Sequence, residues 1–306
     1  MHLDGGMEFL RFAAVDIGSN ALRLLLCNVY DEGAGPVFKK AELFRFPLRL
    51  GEDSFLMGKI SNQTMEKLAH VMVAYRNLME AYGVIDYRVC ATAAMREAGN
   101  SAEVIEMVHQ KSGLRIEVID GRTEAELIYA NHIEKMLDSS KSYLYVDVGG
   151  GSTELTLFSN GVTLFSNSFN IGTIRMLHGK VDKEVWSAFK QSVFDLKAMV
   201  HDEPLTAIGS GGNINKIFKL AGRKEDQSLS YKRIQTLFEE LSNLSYEDRI
   251  THYKLNPDRA DVIIPAFKIF LSVMKWSGIE KLIVPQVGLS DGIVHALYER
   301  HVTDLK

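Results

Sequence analysis

YLYVDVGGGSTELTLF, residues 143–158, runs from an apolar stretch into an aspartate, three consecutive glycines and Ser-Thr-Glu, then back into alternating apolar residues. The alternation on both sides predicts two strands joined by a tight turn. A buried strand has little use for a charge and three residues without side chains unless something approaches the backbone closely. The candidates are a phosphate, a metal ion, or the turn's own geometry.

The pattern occurs twice. FAAVDIGSN (12–20) and YLYVDVGGG (143–151) each give an apolar strand ending in Asp-x-Gly, with Asp16 and Asp147 131 positions apart. Second strands follow in ALRLLLCNVY and STELTLF, then turn signals at 31–36 and at Asn160-Gly161, then third strands over Val37–Phe46 and Val162–Phe169. Asn-Gly between alternating residues is a hairpin signal. Beyond each meander the periodicity predicts alternating helices and strands. In the first half these are helix Ser61–Tyr82 with Ser61 as cap, strand Tyr87–Thr92, helix Ala102–Ser112, strand Ile116–Ile119 and helix Glu124–Leu137. In the second they are helix Lys183–Val200, strand Leu205–Ile208, helix Asn213–Ala221, a loop over Gly222–Ser230, helices Tyr231–Leu241, Ala260–Gly278 and Asp291–Arg300, and strand Lys281–Pro285. The class is therefore α/β with two similar lobes. The expected division is 1–125 and 126–290, with a C-terminal helix over 291–306 packing back on the first lobe.

Three glycine chemistries compete for the turns. A dinucleotide fingerprint needs G-x-G-x-x-G opening a helix, but Glu154 occupies the third position and a strand follows. A Walker loop needs G-x-x-x-x-G-K-[ST], and no such run occurs. What survives is a turn between antiparallel strands whose N–H groups donate to phosphoryl oxygens. Asp16 and Asp147 then sit where a hard cation such as Mg²⁺ bridges carboxylate and phosphate; the plainer alternative is a carboxylate capping the turn's own N–H groups. Ser19, Asn20, Ser152 and Thr153 supply neutral donors, or local caps.

Composition narrows the partners. The chain has 306 residues, 46% hydrophobic, 24% charged, with net charge −4. That suits two ordinary domains and argues against binding nucleic acid or membrane by bulk charge. Apolar runs such as Leu22–Val29 are short of a membrane span and the N-terminal stretch carries acids where a signal peptide has bases, so the expectation is a cytoplasmic protein. Cys27 and Cys90 read as small core residues, and no zinc or redox spacing is present. His109 and His132, on predicted helices, read as surface or packing residues.

The ordered segments AAVDIGSNALRLLL, ATAAMREAGN (91–100), IDGRTEAELIYA (119–130), YVDVGGGSTEL, AIGSGGNINKI (207–217) and RADVIIPA (259–266) resemble the exopolyphosphatase and guanosine pentaphosphate phosphohydrolase family, from about residue 12 to residue 300. The resemblance implies two ribonuclease-H-like lobes of the actin-like ATPase superfold with an interlobe active-site cleft. It also implies dependence on Mg²⁺ or another divalent cation, and hydrolysis of the terminal phosphate of inorganic polyphosphate or of pppGpp. By the same resemblance Glu124 activates the attacking water, Asp147 and Glu154 are metal- and water-orienting acids, Asp16 is the corresponding acid of the first turn, and Arg96 binds phosphoryl oxygens. On spacing alone, Glu124 reads first as a first-turn acid complementing a helix dipole, and the resemblance reverses that order. The phosphate-binding set is Gly18, Ser19, Asn20, Arg23, Arg96, Gly149, Gly150, Gly151, Ser152, Thr153, Ser210 and Gly211, with Arg49, Arg122, Lys216 and Arg259 as further cations for a phosphate tail. A homodimer is also implied by resemblance alone.

Two departures stand out. Near the C-terminus family members usually read Gly-Leu-Arg-[Asp/Glu]-Gly where this chain reads GLSDG, Ser290 replacing an arginine, and longer relatives carry additional C-terminal helical domains. The first bears on affinity for long chains and on the preferred substrate, the second on processive digestion of very long chains. Two readings outside hydrolysis share the superfold: an ATP-binding module, and a silent sensor of polyphosphate or guanosine alarmones.

Overall fold

The chain is described here from a computed structural model, over residues 9–31, 35–129, 138, 140–200, 204–222 and 226–304. It divides into two compact units, Met1–Asp120 with Leu289–Lys306, and Gly121–Gly288. The division falls before Glu124, so the helix carrying that residue belongs to the second unit.

In the first unit, β1 (Phe9–Ile17), β2 (Ala21–Asp31) and β3 (Pro36–Pro47) form an antiparallel meander. β4 (Asp86–Ala91) lies parallel to β1 and β5 (Glu117–Val118) parallel to β4, giving the order β3-β2-β1-β4-β5. Alternate residues Ala13, Val15 and Ile17 of β1 and Leu22, Leu24 and Leu26 of β2 enter one core with Met65, Leu68 and Met72 of α2 (Asn62–Tyr82). Each of these large side chains, fully buried, contributes about 1.5–3 kcal/mol. Ser61 caps α2, its Oγ accepting from Thr64 N–H at 3.3 Å. On the other face lies α13 (Leu289–Asp304), with Tyr298 edge-on to Phe12 and His295 stacked on Phe38, and Asp291 paired with Lys40 at 2.7 Å. Cys27 and Cys90 are buried and not joined in a disulfide, as the sequence suggests.

The second unit repeats the plan. β6 (Ser142–Val148), β7 (Thr153–Ser159) and β8 (Val162–Phe169) form the meander; Asn160 and Gly161 take φ of 51° and 74°, the left-handed pair a two-residue hairpin requires. β9 (Leu205–Ser210) is parallel to β6 and β11 (Lys281–Ile283) parallel to β9. From β8 inward the order β8-β7-β6-β9-β11 matches the first unit, and one antiparallel strand, β10 (Ser228–Ser230), is added at the edge. Its core joins these strands to α7 (Lys183–Met199), α8 (Gly212–Leu220), α9 (Tyr231–Ser242) and α12 (Ile263–Ser277).

Several elements depart from expectation. The loop over 222–230 ends in β10, and the helix expected over Ala260–Gly278 is two, α11 (Pro257–Ala260) and α12. α1 (Leu50–Met57), α3 (Ala93–Glu97), α6 (Thr173–Leu177) and α10 (Tyr246–Tyr253) were not expected. Part of the turn at 31–36, residues 130–137 of the helix expected from Glu124, His132, and 223–225 of the expected loop lie outside the described residues. Among the described residues no helix is long and apolar enough to cross a membrane.

Candidate active site

The turn between β6 and β7 is closed by Gly149 N–H donating to Ser152 C=O at 2.9 Å. The next three carbonyls of the turn are taken from one side. Gly149 C=O accepts from Thr173 N–H at 3.0 Å, Gly150 C=O from Ile174 N–H at 2.9 Å, and Gly151 C=O from Arg175 Nε at 2.7 Å. In a trans peptide the C=O and the following N–H point opposite ways. The N–H groups of Gly150, Gly151 and Ser152 therefore point away from α6, and among the described residues no hydrogen bond uses any of them. Consecutive N–H groups aimed the same way form an anion-binding concavity. The packing that enforces this is tight, for a Cβ on Gly172 would lie 2.3 Å from Gly150 O.

The first unit's turn is built alike at the same spacing. Gly18 N–H donates to Ala21 C=O at 3.2 Å, while Ser19 and Asn20 C=O accept from Gly51 and Arg49 N–H at 2.8 and 3.0 Å. Those donors come from the start of α1, where Arg49 adopts a left-handed φ of 58°. The expected phosphate-binding residues Gly18, Ser19 and Asn20 thus share one held turn.

Around the second turn the acids gather. Asp147 and Glu154 are directly opposed in the β6–β7 ladder, and Ser210 opposes Asp147 from β9. Directly opposed residues share a sheet face. Glu154 is 3% exposed, and its Oε1 accepts from Ser168 Oγ at 2.8 Å. Gly211, at φ 103°, backs onto this pair: a Cβ there would stand 3.0 Å from Asp147 Oδ1 and 2.9 Å from Val148 O, so the position admits only glycine. α5 (Gly121–Tyr129) packs on β7 and β8, its first residue seated against Ser168, where a Cβ on Gly121 would come within 2.7 Å of the serine Cβ. Glu124 follows one helical turn later, its Oε2 buried. Among the described residues no three His, Cys, Asp or Glu side chains form a group that could hold a metal ion.

Other expected residues have structural partners. Thr153 is fully buried and its Oγ1 donates to Ile171 C=O at 2.5 Å; Ser210 Oγ donates to Val287 C=O at 3.3 Å. Arg96, closing α3, donates from Nη1 to Ile119 C=O at 2.7 Å, which fixes its guanidinium beside the end of β5. Arg23 is ion-paired to Asp16 at 2.6 Å. Arg122 pairs with Glu126 on an exposed face, and Arg49 with Glu52. Lys216 donates to Lys254 C=O at 3.4 Å, and Arg259 Nη1 to Gly212 C=O. Burial first, then Lys219 and Arg259, hold the Lys216 ammonium below its ordinary pKa, so these three form a local basic cluster. Ser290 is 5% exposed, and among the described residues its Oγ has no hydrogen-bond partner.

The sequence reading missed Gly121, Ser168, Gly172 and Arg175. The first three act by size or by a single hydroxyl, which leaves no pattern. Arg175 reads as an ordinary helix-terminal cation until its neighbour in space, Gly151, is known.

The chain is 26% identical to exopolyphosphatase 2 of Mycobacterium tuberculosis over 95% of this chain and 99% of that protein. It is 23% identical to the guanosine-5'-triphosphate,3'-diphosphate pyrophosphatase of Aeromonas hydrophila over 94% of this chain and 59% of that one. The crystal structure of an exopolyphosphatase from Cytophaga hutchinsonii superposes with a TM-score of 0.81 at 20% identity, covering 95% of this chain and 98% of that one, a likeness of fold. The architecture is accordingly the two-lobed, actin-like ATPase fold. The model of the Ppx/GppA phosphatase family matches residues 36–301, and the chain belongs to that family of hydrolases.

Proposed function

We propose that the chain hydrolyses the terminal phosphoanhydride of inorganic polyphosphate, releasing orthophosphate, with Mg²⁺ as cofactor. The observation carrying this reading is the row of three N–H groups at Gly150, Gly151 and Ser152, turned outward by the capture of the turn's carbonyls. Such a row suits the tetrahedral oxygens of a phosphoryl group and costs no reorganisation when charge develops on them.

The donor set fits Mg²⁺. This ion is held by one or two carboxylates plus substrate phosphates rather than by an all-protein cage, and two directly opposed carboxylates, Asp147 and Glu154, meet that description. Bound there, the ion would neutralise phosphoryl charge and polarise the oxygens of the scissile group. Glu124 holds the attacking water and takes its proton; a base positioned in this way contributes about 10²–10⁴-fold. Ser168 fixes Glu154, and Gly211 keeps the backbone close to Asp147. The cluster of Lys216, Lys219 and Arg259 supplies cations for the phosphate tail.

The similarity to the Aeromonas hydrophila protein favours pppGpp as the second substrate reading. Phosphate release from polyphosphate and from pppGpp, with Mg²⁺ and with a chelator, is the test. Release from polyphosphate lost on chelation supports the proposal. Turnover of pppGpp alone replaces the substrate, and binding without release from either makes the chain a sensor.

A further inference from the structure

α8 begins against the end of β6, the strand that leads into the second unit's glycine turn. Gly211, the residue before the helix, packs so closely there that a Cβ on it would stand 2.9 Å from Val148 O and 3.0 Å from Asp147 Oδ1. The first bond the helix closes runs from Asn215 N–H to Gly211 C=O at 3.3 Å. The N–H groups of Gly212, Asn213 and Ile214 before it have no acceptor among the described residues, and no side chain caps them. A helix N-terminus in this condition carries partial positive charge and suits an anion.

A second observation points the same way. Asn213 is only 8% exposed, yet its carboxamide has no hydrogen-bond partner among the described residues, whereas buried polar side chains are nearly always satisfied. Side chains of a helix tilt toward its N-terminus, so this amide, on the second residue, reaches back beside the open N–H groups. Ile214, Ile217 and Phe218 hold the helix in the core. Lys216 and Lys219 follow Asn213 at intervals of three, the spacing of neighbours along a helix surface, and Lys219 lies about 9 Å beyond Asn213 along the axis. Arg259 joins them, its Nη1 donating to Gly212 C=O. The row therefore starts at the glycine turn and continues into cations.

We infer that the N-terminus of α8 and the Asn213 carboxamide hold the phosphoryl group on the far side of the scissile bond, with the rest of the polyphosphate leaving along Lys216 and Lys219. The inference rests on the proposed function and gives that site a direction, terminal phosphoryl group on the Gly150–Ser152 row and its neighbour on α8. As water adds to the terminal phosphorus, a new P–O bond forms and the bridging P–O bond breaks. The electron pair of the broken bond stays on the bridging oxygen, which departs with the shortened chain, and the proton of the water goes to Glu124. The departing group gains one negative charge in that step, so donors already fixed beside it stabilise the transition state more than the bound substrate. Asn213 accordingly acts on kcat rather than on KM.

The test is the kinetics of phosphate release from polyphosphate with Mg²⁺, for the parent, Asn213→Ala and Asn213→Asp, beside calorimetric titration of the same chains with methylenebisphosphonate, whose bridge cannot be hydrolysed. Asn213→Ala is expected to lower kcat by about 10–100-fold, the worth of one hydrogen bond to a charged group, with KM little changed. Asn213→Asp keeps the shape and sets a carboxylate against the leaving charge. It is expected to lower kcat further and to weaken bisphosphonate binding by about ten-fold or more. Parental kcat in either folded variant, a raised KM with kcat kept, or unchanged bisphosphonate affinity in Asn213→Asp overturns the inference and leaves the proposed hydrolysis standing. A parent chain that binds bisphosphonate but releases no phosphate overturns the proposed function, and the leaving-group role with it.

Discussion

Ser168 Oγ donates to Glu154 Oε1 at 2.8 Å, and the same serine is the surface against which Gly121 seats the start of α5. One side chain therefore orients an acid of the turn and marks where the helix carrying Glu124 begins.

Replacing that serine tests the link. Ser168→Ala removes the donor but leaves room for α5, so the fold should persist. The carboxylate it steadied loses orientation, and outer partners of this kind are worth about 10–100-fold in metal affinity. The Mg²⁺ concentration for half-maximal phosphate release should rise by about ten-fold, with thermal unfolding little changed. An unchanged Mg²⁺ requirement would remove Ser168 from the site.

Gly172→Ala should be far more damaging than its size suggests. The added methyl would stand 2.3 Å from Gly150 O and 2.4 Å from Gly150 C and Gly151 C, all backbone atoms that cannot swing aside. Overpacking of this kind costs about 1–3 kcal/mol. Urea unfolding should show that loss, and phosphate release should fall with it because the N–H row is displaced. Wild-type activity and stability would mean that the turn is not held as described.

Much of this was legible from sequence because a strand needs period two and a close-approach turn needs glycine. Those two signals place both Asp-x-Gly turns, their flanking strands and the duplicated plan. Equal distances from the turn even predict that Asp147 faces Glu154 and Asp16 faces Arg23, since a hairpin's register follows its turn. What escaped was short or contextual. β10 has three residues, and α1 opens at Arg49 in a left-handed conformation without a side-chain cap, so neither carries a usable pattern. The structural engagement of Thr153 by Ile171, like that of Gly151 by Arg175, is set by connections that meet only in three dimensions.

Cys27 makes a prediction about pH. Burial first, then the charge of Asp291, push its thiol up to about 12 from an ordinary value of 9.0, against a smaller opposing pull from Lys40. A raised folded-state value means that this stabilisation is whole below about 9 and is lost as pH rises toward about 12. Urea midpoints at about pH 8 and about pH 10.5 should diverge more for the parent than for Cys27→Ala. Equal divergence would show that the thiol ionises as readily folded as unfolded. Iodoacetamide at about pH 8 should likewise spare Cys27 until the chain is unfolded.

The most direct measurement is the single-turnover rate of phosphate release from polyphosphate with saturating Mg²⁺, for the parent and for Glu124→Gln. The substitution keeps the shape of a side chain whose Oε2 is buried and removes only its capacity to take a proton. The account predicts a rate lower by about 10²–10⁴-fold with polyphosphate binding retained. Equal rates in the two proteins would contradict it.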